Sequence, residues 1–112
     1  MNGEYDHAIH SYRLAIKLNP NSAECHFNLA SAFSDKGDVE NAITHYNEAS
    51  KFDDQNIQTF LNLAKLQEQT GKFFEAYQSY KRAKNIQTQN ILADEGLRRC
   101  KMELENKNEK FQ

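Results

Sequence analysis

Apolar side chains recur along this chain at intervals of three and four residues, and short polar turns separate the stretches in which they do so. Between Tyr5 and Ile16 the apolar positions follow the period of a helix. Pro20 marks the first break, because proline cannot continue a helical hydrogen-bond ladder. The pattern predicts six helices and no strand, with a turn and a helix over residues 2–18 and further helices over residues 21–36, 39–51, 57–70, 73–85 and 91–107.

A longer period lies over the helical one. Gly37, Ala42, Tyr46 and Ala49 recur in the same register once earlier and once later in the chain, at equal spacing. A fixed period of about 34 residues indicates a repeat architecture, in which stacked neighbours cover apolar faces that no single helical pair can bury. The recurring residues are Gly3, Ala8, Tyr12 and Ala15 in the first copy and Gly71, Ala76, Tyr80 and Ala83 in the third.

The small residues of the repeat have two roles. Gly37 and Gly71 are predicted to end helices, because glycine adopts the left-handed conformation without a Cβ penalty. The alanines are predicted to lie where two helices approach closely, near the short end of the usual separation of about 8–10 Å. These alanines are Ala30 and Ala64 before the glycines and Ala42 and Ala76 after them.

The residues of the second copy resemble a tetratricopeptide repeat, in particular the run Asn28-Leu29-Ala30 together with Phe33, Gly37, Ala42-Ile43, Tyr46 and Ala49. The resemblance covers nearly the whole chain and implies an all-α fold, an α-α superhelix of helical hairpins. We expect a single domain over 1–112. Its parts are a half repeat (3–22), two repeats (23–56 and 57–90), a capping helix (91–108) and a frayed tail (109–112). One departure is Gln67, where the family prefers a large apolar side chain and the preceding repeat has Phe33.

The two ends differ. In the last helix Arg98 and Glu105 stand where earlier repeats have alanine and glycine, so we expect a solvated cap with no further partner. At the first end Gly3 is expected at the turn of a repeat whose first helix is missing. Tyr5, Ile9 and Ile16 would then be uncovered, which predicts either a chain cut from a longer array or self-association as a homodimer.

The family's geometry places the first helix of each pair on the inner wall of the array, where partners bind. Asn28 and Asn62, one repeat apart, would lie in line there, and an amide can both donate to and accept from a peptide backbone. The alternative is that both asparagines are solvated and have no binding role. The other peptide-binding candidates are Glu24, Phe27, Ser31, Gln58, Leu61, Lys65 and Arg99, with Leu92 and Gly96 beside Arg99.

One variant of the family grips the C-terminal carboxylate of chaperones with a lysine, asparagine and arginine set. Asn28 would fit that set, but Gln58 and Asn62 stand where lysine and arginine are then needed. If the frame is shifted by one repeat, Phe27 and Ser31 stand where lysine and asparagine are needed. Neither register reproduces the set, so we expect no such clamp in this chain.

Composition narrows the alternatives. The net charge of −2 is too small to indicate nucleic acid or an anionic membrane as a partner. Cys25 and Cys100 lie far apart and suit a reducing compartment, so we expect a cytoplasmic protein. His7 and His10 have no third ligand nearby in sequence, and no glycine-rich phosphate loop or nucleophile motif is present, so we expect no metal, no cofactor and no enzyme.

The resemblance therefore implies a protein–protein interaction scaffold or adaptor that holds an extended peptide or a partner helix in its groove. Two other functions stay open at this point. The chain could be a structural module that self-associates through its first helix, or the targeting region of a larger enzyme.

Overall fold

A computed structural model describes the backbone of residues 2–110 and the side chains of residues 3–107. This part of the chain contains α-helices and no strand, so the predicted all-α class is confirmed. The helices are α1 (Asn2–Leu18), α2 (Ala23–Lys36), α3 (Val39–Phe52), α4 (Ile57–Gln69), α5 (Phe73–Ile86) and α6 (Ile91–Lys110).

The helices form two compact units, Met1–Gln55 and Asn56–Gln112. In the first unit α2 packs against both α1 and α3. In the second unit α5 packs against both α4 and α6. The core of the second unit is a cluster of buried side chains that all three of its helices supply: Phe60, Leu61, Ala64, Ala76, Tyr80, Ala83, Ala93 and Cys100.

Local capping explains where the helices end. Gly37 follows α2 with φ of 93°, and the N–H of Asp38 then donates to the carbonyl of Phe33 over 2.8 Å. Gly71 has φ of 77° and allows Lys72 to donate to the carbonyl of Gln67 in the same way. These bonds satisfy carbonyls that the end of a helix leaves without partners. The predicted role of both glycines is confirmed.

Two predicted boundaries are wrong. Gly3, expected at a turn, lies within α1, because nothing there requires a left-handed residue. The last helix, expected to end at residue 107, continues to Lys110. The predicted frayed tail reached residue 112, and residues 111 and 112 lie outside the described part.

The alanines lie at close helix contacts, as predicted. Ala30, Ala42, Ala64 and Ala76 are each 0% exposed. A larger side chain at any of these positions would push two helix axes apart, because protein interiors contain few voids that could receive it.

Gln67 is accommodated by a matching change in the neighbouring helix. Its side chain is 6% exposed, and its Oε1 accepts a hydrogen bond from Ser79 Oγ over 2.7 Å. The corresponding residues of the preceding repeat are Phe33 and His45, whose rings stack with centroids 5.7 Å apart. One pair of facing positions therefore holds two rings in the first unit and a hydrogen bond in the second. A buried polar group costs little when it is paired in this way.

The exposure of α1 differs in part from the expected one. Ile9 is 5% exposed, so the expectation that it is uncovered is wrong, whereas Tyr5 and Ile16 are partly exposed. The reason is that α1 packs against α2, which covers the side carrying Ile9. Ala8, Tyr12 and Ala15 are partly exposed like Tyr5 and Ile16, although their counterparts Ala42, Tyr46 and Ala49 are buried.

Two histidines meet inside the first unit. The Nδ1 atoms of His26 and His45 are 3.4 Å apart, and the Nε2 of His26 lies 3.0 Å from the carbonyl oxygen of Pro20. A carbonyl only accepts, so Nε2 of His26 carries the proton. In the neutral pair, His45 therefore donates from Nδ1 to Nδ1 of His26. Burial lowers the pKa of His45, and electrostatic interactions with His26 and Arg13 lower it further, while Glu48 opposes them.

This pair predicts that the protein loses stability on mild acidification. Since the pKa of His45 is lowered in the folded state, the unfolded state binds more protons, and the contribution of His45 is lost as the pH falls below about 6.5. We expect the free energy of unfolding, measured by urea denaturation between pH 7.5 and 5, to fall less in His45→Phe than in the wild type. His10→Gln, at an exposed position of α1, is the control and should keep the wild-type slope. Equal slopes in all three proteins would show that His45 does not titrate differently on folding.

Candidate functional site

A cavity of about 280 Å³ opens between the three helices of the second unit. Helix α4 supplies four of its side chains at helical spacing, α5 supplies one and α6 supplies two. The lining consists of Gln58, Leu61, Asn62 and Lys65 from α4, Tyr80 from α5, and Leu92 and Arg99 from α6. Five of the nine predicted peptide-binding residues therefore line one cavity.

The lining combines three kinds of chemistry. Leu61, Leu92 and the ring of Tyr80 form apolar surface, and Leu92 is largely exposed. Gln58 Nε2 donates to Asn62 Oδ1 over 2.8 Å, so two side-chain amides lie together in the α4 wall. Lys65 adds an exposed cation. Such a mixture of apolar surface and a few polar groups is typical of ligand sites.

The back of the cavity is held by a network of three charged or polar side chains. Arg99 Nε donates to Glu68 Oε2 over 2.7 Å, and its Nη2 donates to Glu68 Oε1 over 3.1 Å. Tyr80 donates its hydroxyl proton to the same Oε1 over 2.8 Å. Paired hydrogen bonds between arginine and a carboxylate fix both distance and orientation. Glu68, Tyr80 and Arg99 thus connect all three helices of the unit.

The pKa values of this network follow from its contacts. The hydrogen bond from Arg99 lowers the pKa of Glu68, with a smaller contribution from Tyr80, so the carboxylate stays ionised. Burial, together with the hydrogen bond to Glu68, raises the pKa of Tyr80 to about 12. The phenol therefore remains a neutral donor across the physiological range. The network positions the wall of the cavity rather than supplying an acid or a base.

Gly96 fixes the ring of Tyr80 from the other side. It was expected in the groove wall, but it is buried, and a Cβ built on it would overlap the aromatic ring. The expectation is wrong because the neighbouring helix covers this position. Glycine is therefore required in the middle of α6, although it lowers intrinsic helix stability.

The other four predicted residues belong to the first unit. Phe27 meets the ring of Tyr46 edge to face, with centroids 5.4 Å apart, and Ser31 Oγ lies 3.0 Å from the Tyr46 hydroxyl oxygen. Asn28 is half-buried and Glu24 is exposed. The alignment of Asn28 with Asn62 stays a prediction, as do the binding roles of all nine residues.

The sequence interpretation missed the part that Tyr80 plays in this cavity. The repeat pattern marks Tyr80 only as a recurring residue and carries no information about its hydroxyl group. A signal existed: Glu68 lies 12 residues before Tyr80, on the preceding helix, and the first unit has Ser34 at the position of Glu68. This change from serine to glutamate indicates that a carboxylate is available to Tyr80.

Cys100 does not have the environment of a reactive thiol that a charge activates. Cys100 is buried, and this burial raises the pKa of its thiol to about 11. Cys25 is half-buried and free. Within residues 3–107 no three histidine, cysteine or acidic side chains come together as metal ligands. In the same part of the chain no helix combines the length and apolar character needed to cross a membrane.

Known protein families and structures were compared with this fold and site. Residues 2–37 and 30–71 match the TPR repeat family. No curated protein matches the chain significantly. The Arabidopsis OM64 TPR domain is 26% identical, with 88% of this chain and 81% of that chain covered and a TM-score of 0.77.

Two further structures are those of peptide complexes. The first TPR of Spaghetti (RPAP3) bound to the HSP90 peptide SRMEEVD is 24% identical, with 91% of this chain and 81% of that chain covered and a TM-score of 0.81. The second TPR domain of human RPAP3 with the HSP70 peptide SGPTIEEVD is also 24% identical, with 88% and 82% covered and a TM-score of 0.79. At this identity they show the fold alone.

The helices and the cavity define a helical-repeat protein of the class that mediates protein interactions. The match over more than half of its length shows the family: the chain belongs to the TPR repeat family.

Replacing Gly96 by alanine should destabilise the protein, opposite to the usual effect of this change in a helix. The added Cβ would force the Tyr80 ring to move, so we expect the free energy of unfolding to fall by about 1–3 kcal/mol. Gly3→Ala is the matched control, since Gly3 is helical and has no atom within 4 Å of the added carbon. It should raise stability by up to about 1 kcal/mol. Urea denaturation distinguishes the two, and stabilisation by both changes would contradict the proposed contact.

Proposed function

We propose that the cavity of the second unit binds an extended peptide segment of a partner protein. One apolar side chain of the peptide would lie on Leu61, Leu92 and the Tyr80 ring. The adjacent peptide groups would meet the side-chain amides of Gln58 and Asn62. The observation that carries this proposal is that apolar surface, two amides and a cation from the predicted set line one cavity.

Charge favours a peptide with an acidic group. Glu68 contacts the lining residues Tyr80 and Arg99, and Arg99 engages both of its oxygens. Lys65 forms no ion pair with a described residue, and its side chain is exposed. A carboxylate of the peptide next to its apolar side chain would therefore reach Lys65 without displacing an existing pair. Such a contact steers association and sets register more than it adds affinity.

The peptides bound by the two RPAP3 domains have this character, because both end in Glu-Glu-Val-Asp. They support the choice of an acidic peptide with an apolar residue. The lysine and arginine with which one variant of the family grips a C-terminal carboxylate are replaced in this chain by Gln58 and Asn62. We therefore propose that Lys65 takes an internal acidic side chain, and that a free C-terminal carboxylate is not required. The free thiols of Cys25 and Cys100 support such a role in a reducing, cytoplasmic environment.

The proposal predicts which variants lose affinity for a labelled SRMEEVD peptide in fluorescence anisotropy. Asn62→Ala removes an amide and Lys65→Ala removes the cation, and we expect each to weaken binding about three- to tenfold, or roughly 0.7–1.4 kcal/mol. The Asn28→Ala/Asn62→Ala double variant tests whether the two asparagines act together. Lys17→Ala, an exposed lysine at the end of α1, is the control.

Two results would contradict the proposal. Unchanged affinity in Asn62→Ala and Lys65→Ala would exclude this cavity as the binding site. Complete loss of binding when the peptide carries a C-terminal amide would show that the carboxylate terminus is recognised after all.

Self-association is a second candidate function, and one observation favours it. Ala8, Tyr12 and Ala15 of α1 are half-exposed, whereas Ala76, Tyr80 and Ala83, their counterparts in the third copy, are buried. Small residues on both sides of a tyrosine would let a second helix approach closely. A second copy of the chain would then cover this side of α1.

If the second candidate is correct, Tyr12→Glu should convert a dimer into a monomer in sedimentation equilibrium. Glutamate at the centre of the face would be buried without a partner, which is costly. Ser11→Glu, one position away on an exposed side of α1, should leave the dimer intact. A wild-type protein that stays monomeric at high concentration would exclude self-association through α1.

A further inference from the structure

A second cavity, of about 340 Å³, lies between α5 and α6 in the second unit. Its lining shares no residue with the cavity described above. Arg98 faces this cavity and Arg99 faces the other, because consecutive residues on a helix point about 100° apart. The lining consists of Tyr77 and Lys84 from α5 and Asp94, Leu97, Arg98 and Lys101 from α6.

Three cations and one carboxylate line this cavity, so its lining carries a net charge of +2. The carboxylate is already engaged, since Lys84 Nζ lies 2.6 Å from Asp94 Oδ1. Arg98 and Lys101 are exposed and form no ion pair with any described residue. The uncompensated positive charge therefore lies on one side of the cavity, on α6.

The floor of the cavity is apolar. Tyr77 and Leu97 are half-buried, and both pack against the core of the second unit. They present a fixed surface, because their inner sides are held by the buried cluster. If an aliphatic side chain of a bound segment lay on this floor, the residues next to it in that segment could reach Arg98 and Lys101.

The repeat shows what normally covers this face. Leu97, Arg98 and Lys101 correspond, one repeat earlier, to Leu63, Ala64 and Gln67 of α4, all of which are buried. In α4 this face packs against α5. On α6, Arg98 occupies the position where Ala64 allows the close approach. A helix could not approach α6 as closely as α5 approaches α4, whereas an extended segment is thin enough to lie between the cationic side chains.

We propose that this second cavity binds an extended acidic segment of a partner protein, with an apolar side chain on Tyr77 and Leu97 and carboxylates on Arg98 and Lys101. A peptide fits better than a nucleic acid for two reasons. The net charge of the chain is −2, and the carboxylate of Asp94 lines the cavity beside its cations, which disfavours a phosphate backbone. The apolar surface of Tyr77 and Leu97 suits an apolar side chain, which a phosphate backbone does not supply.

The test uses a fluorescein-labelled peptide, Glu-Leu-Glu-Glu, capped at both ends, and the full chain carrying Lys65→Glu. This substitution reverses the charge at position 65 in the first cavity. Binding that persists in this variant can therefore be assigned to the second cavity, whether or not the first cavity binds a peptide. We expect the Lys65→Glu protein to retain binding in anisotropy titrations. Adding Arg98→Ala and Lys101→Glu should weaken that binding at least tenfold. Arg98→Ala introduces the residue that the preceding repeat has at the corresponding position, Ala64, so we expect the helix to fold.

The control adds Lys17→Glu to the same background, a charge change on the exposed end of α1. Its affinity should equal that of Lys65→Glu alone, and circular dichroism should show the same helix content in every variant. Loss of all binding in Lys65→Glu alone would overturn the proposal. So would unchanged affinity after Arg98→Ala and Lys101→Glu. Tighter Arg98-dependent binding of a single-stranded RNA oligonucleotide than of the peptide would assign the site to nucleic acid instead.

Discussion

The second unit depends on how the Tyr80 ring is held. On one side the ring lies directly on Gly96, so α5 and α6 can approach only because no Cβ is present there. On the other side its hydroxyl group donates to Glu68, which Arg99 fixes in turn. One side chain thus sets the separation of two helices and the position of the wall that the third supplies. The cavity has a defined shape because these contacts leave the ring no alternative position.

Periodicity explains why the fold could be predicted from the sequence. Gly37 and Gly71 mark their turns because a left-handed backbone excludes most other residues, and the alanines mark close contacts because no larger side chain fits. Gln58, Leu61, Asn62 and Lys65 could be grouped for a similar reason, since helical spacing alone puts them on one face. In each case the property belongs to a single residue or a single helix.

Contacts between helices were harder to predict, because they depend on pairs of residues. Gln67 looks like a defect when it is compared with Phe33 alone. It is explained only with Ser79, which stands where the first unit has His45. The same holds for Gly96, which resembles a groove residue until the ring of Tyr80 is found against it. Ile9 is a related case. It is buried because α1 packs against α2, a contact that the periodicity of α1 alone does not show.

The last helix shows how one element can serve two surfaces. From the sequence, Arg98, Arg99 and Lys101 indicate a solvated cap, and all three are exposed. The structure separates them, because Arg99 completes the Glu68 network while Arg98 and Lys101 form no ion pair with a described carboxylate. Solubility alone would be served by cations on any side of the helix. Here they flank an apolar floor on the face that packs against the following helix one repeat earlier, so these charges define what chemistry this face of α6 can receive.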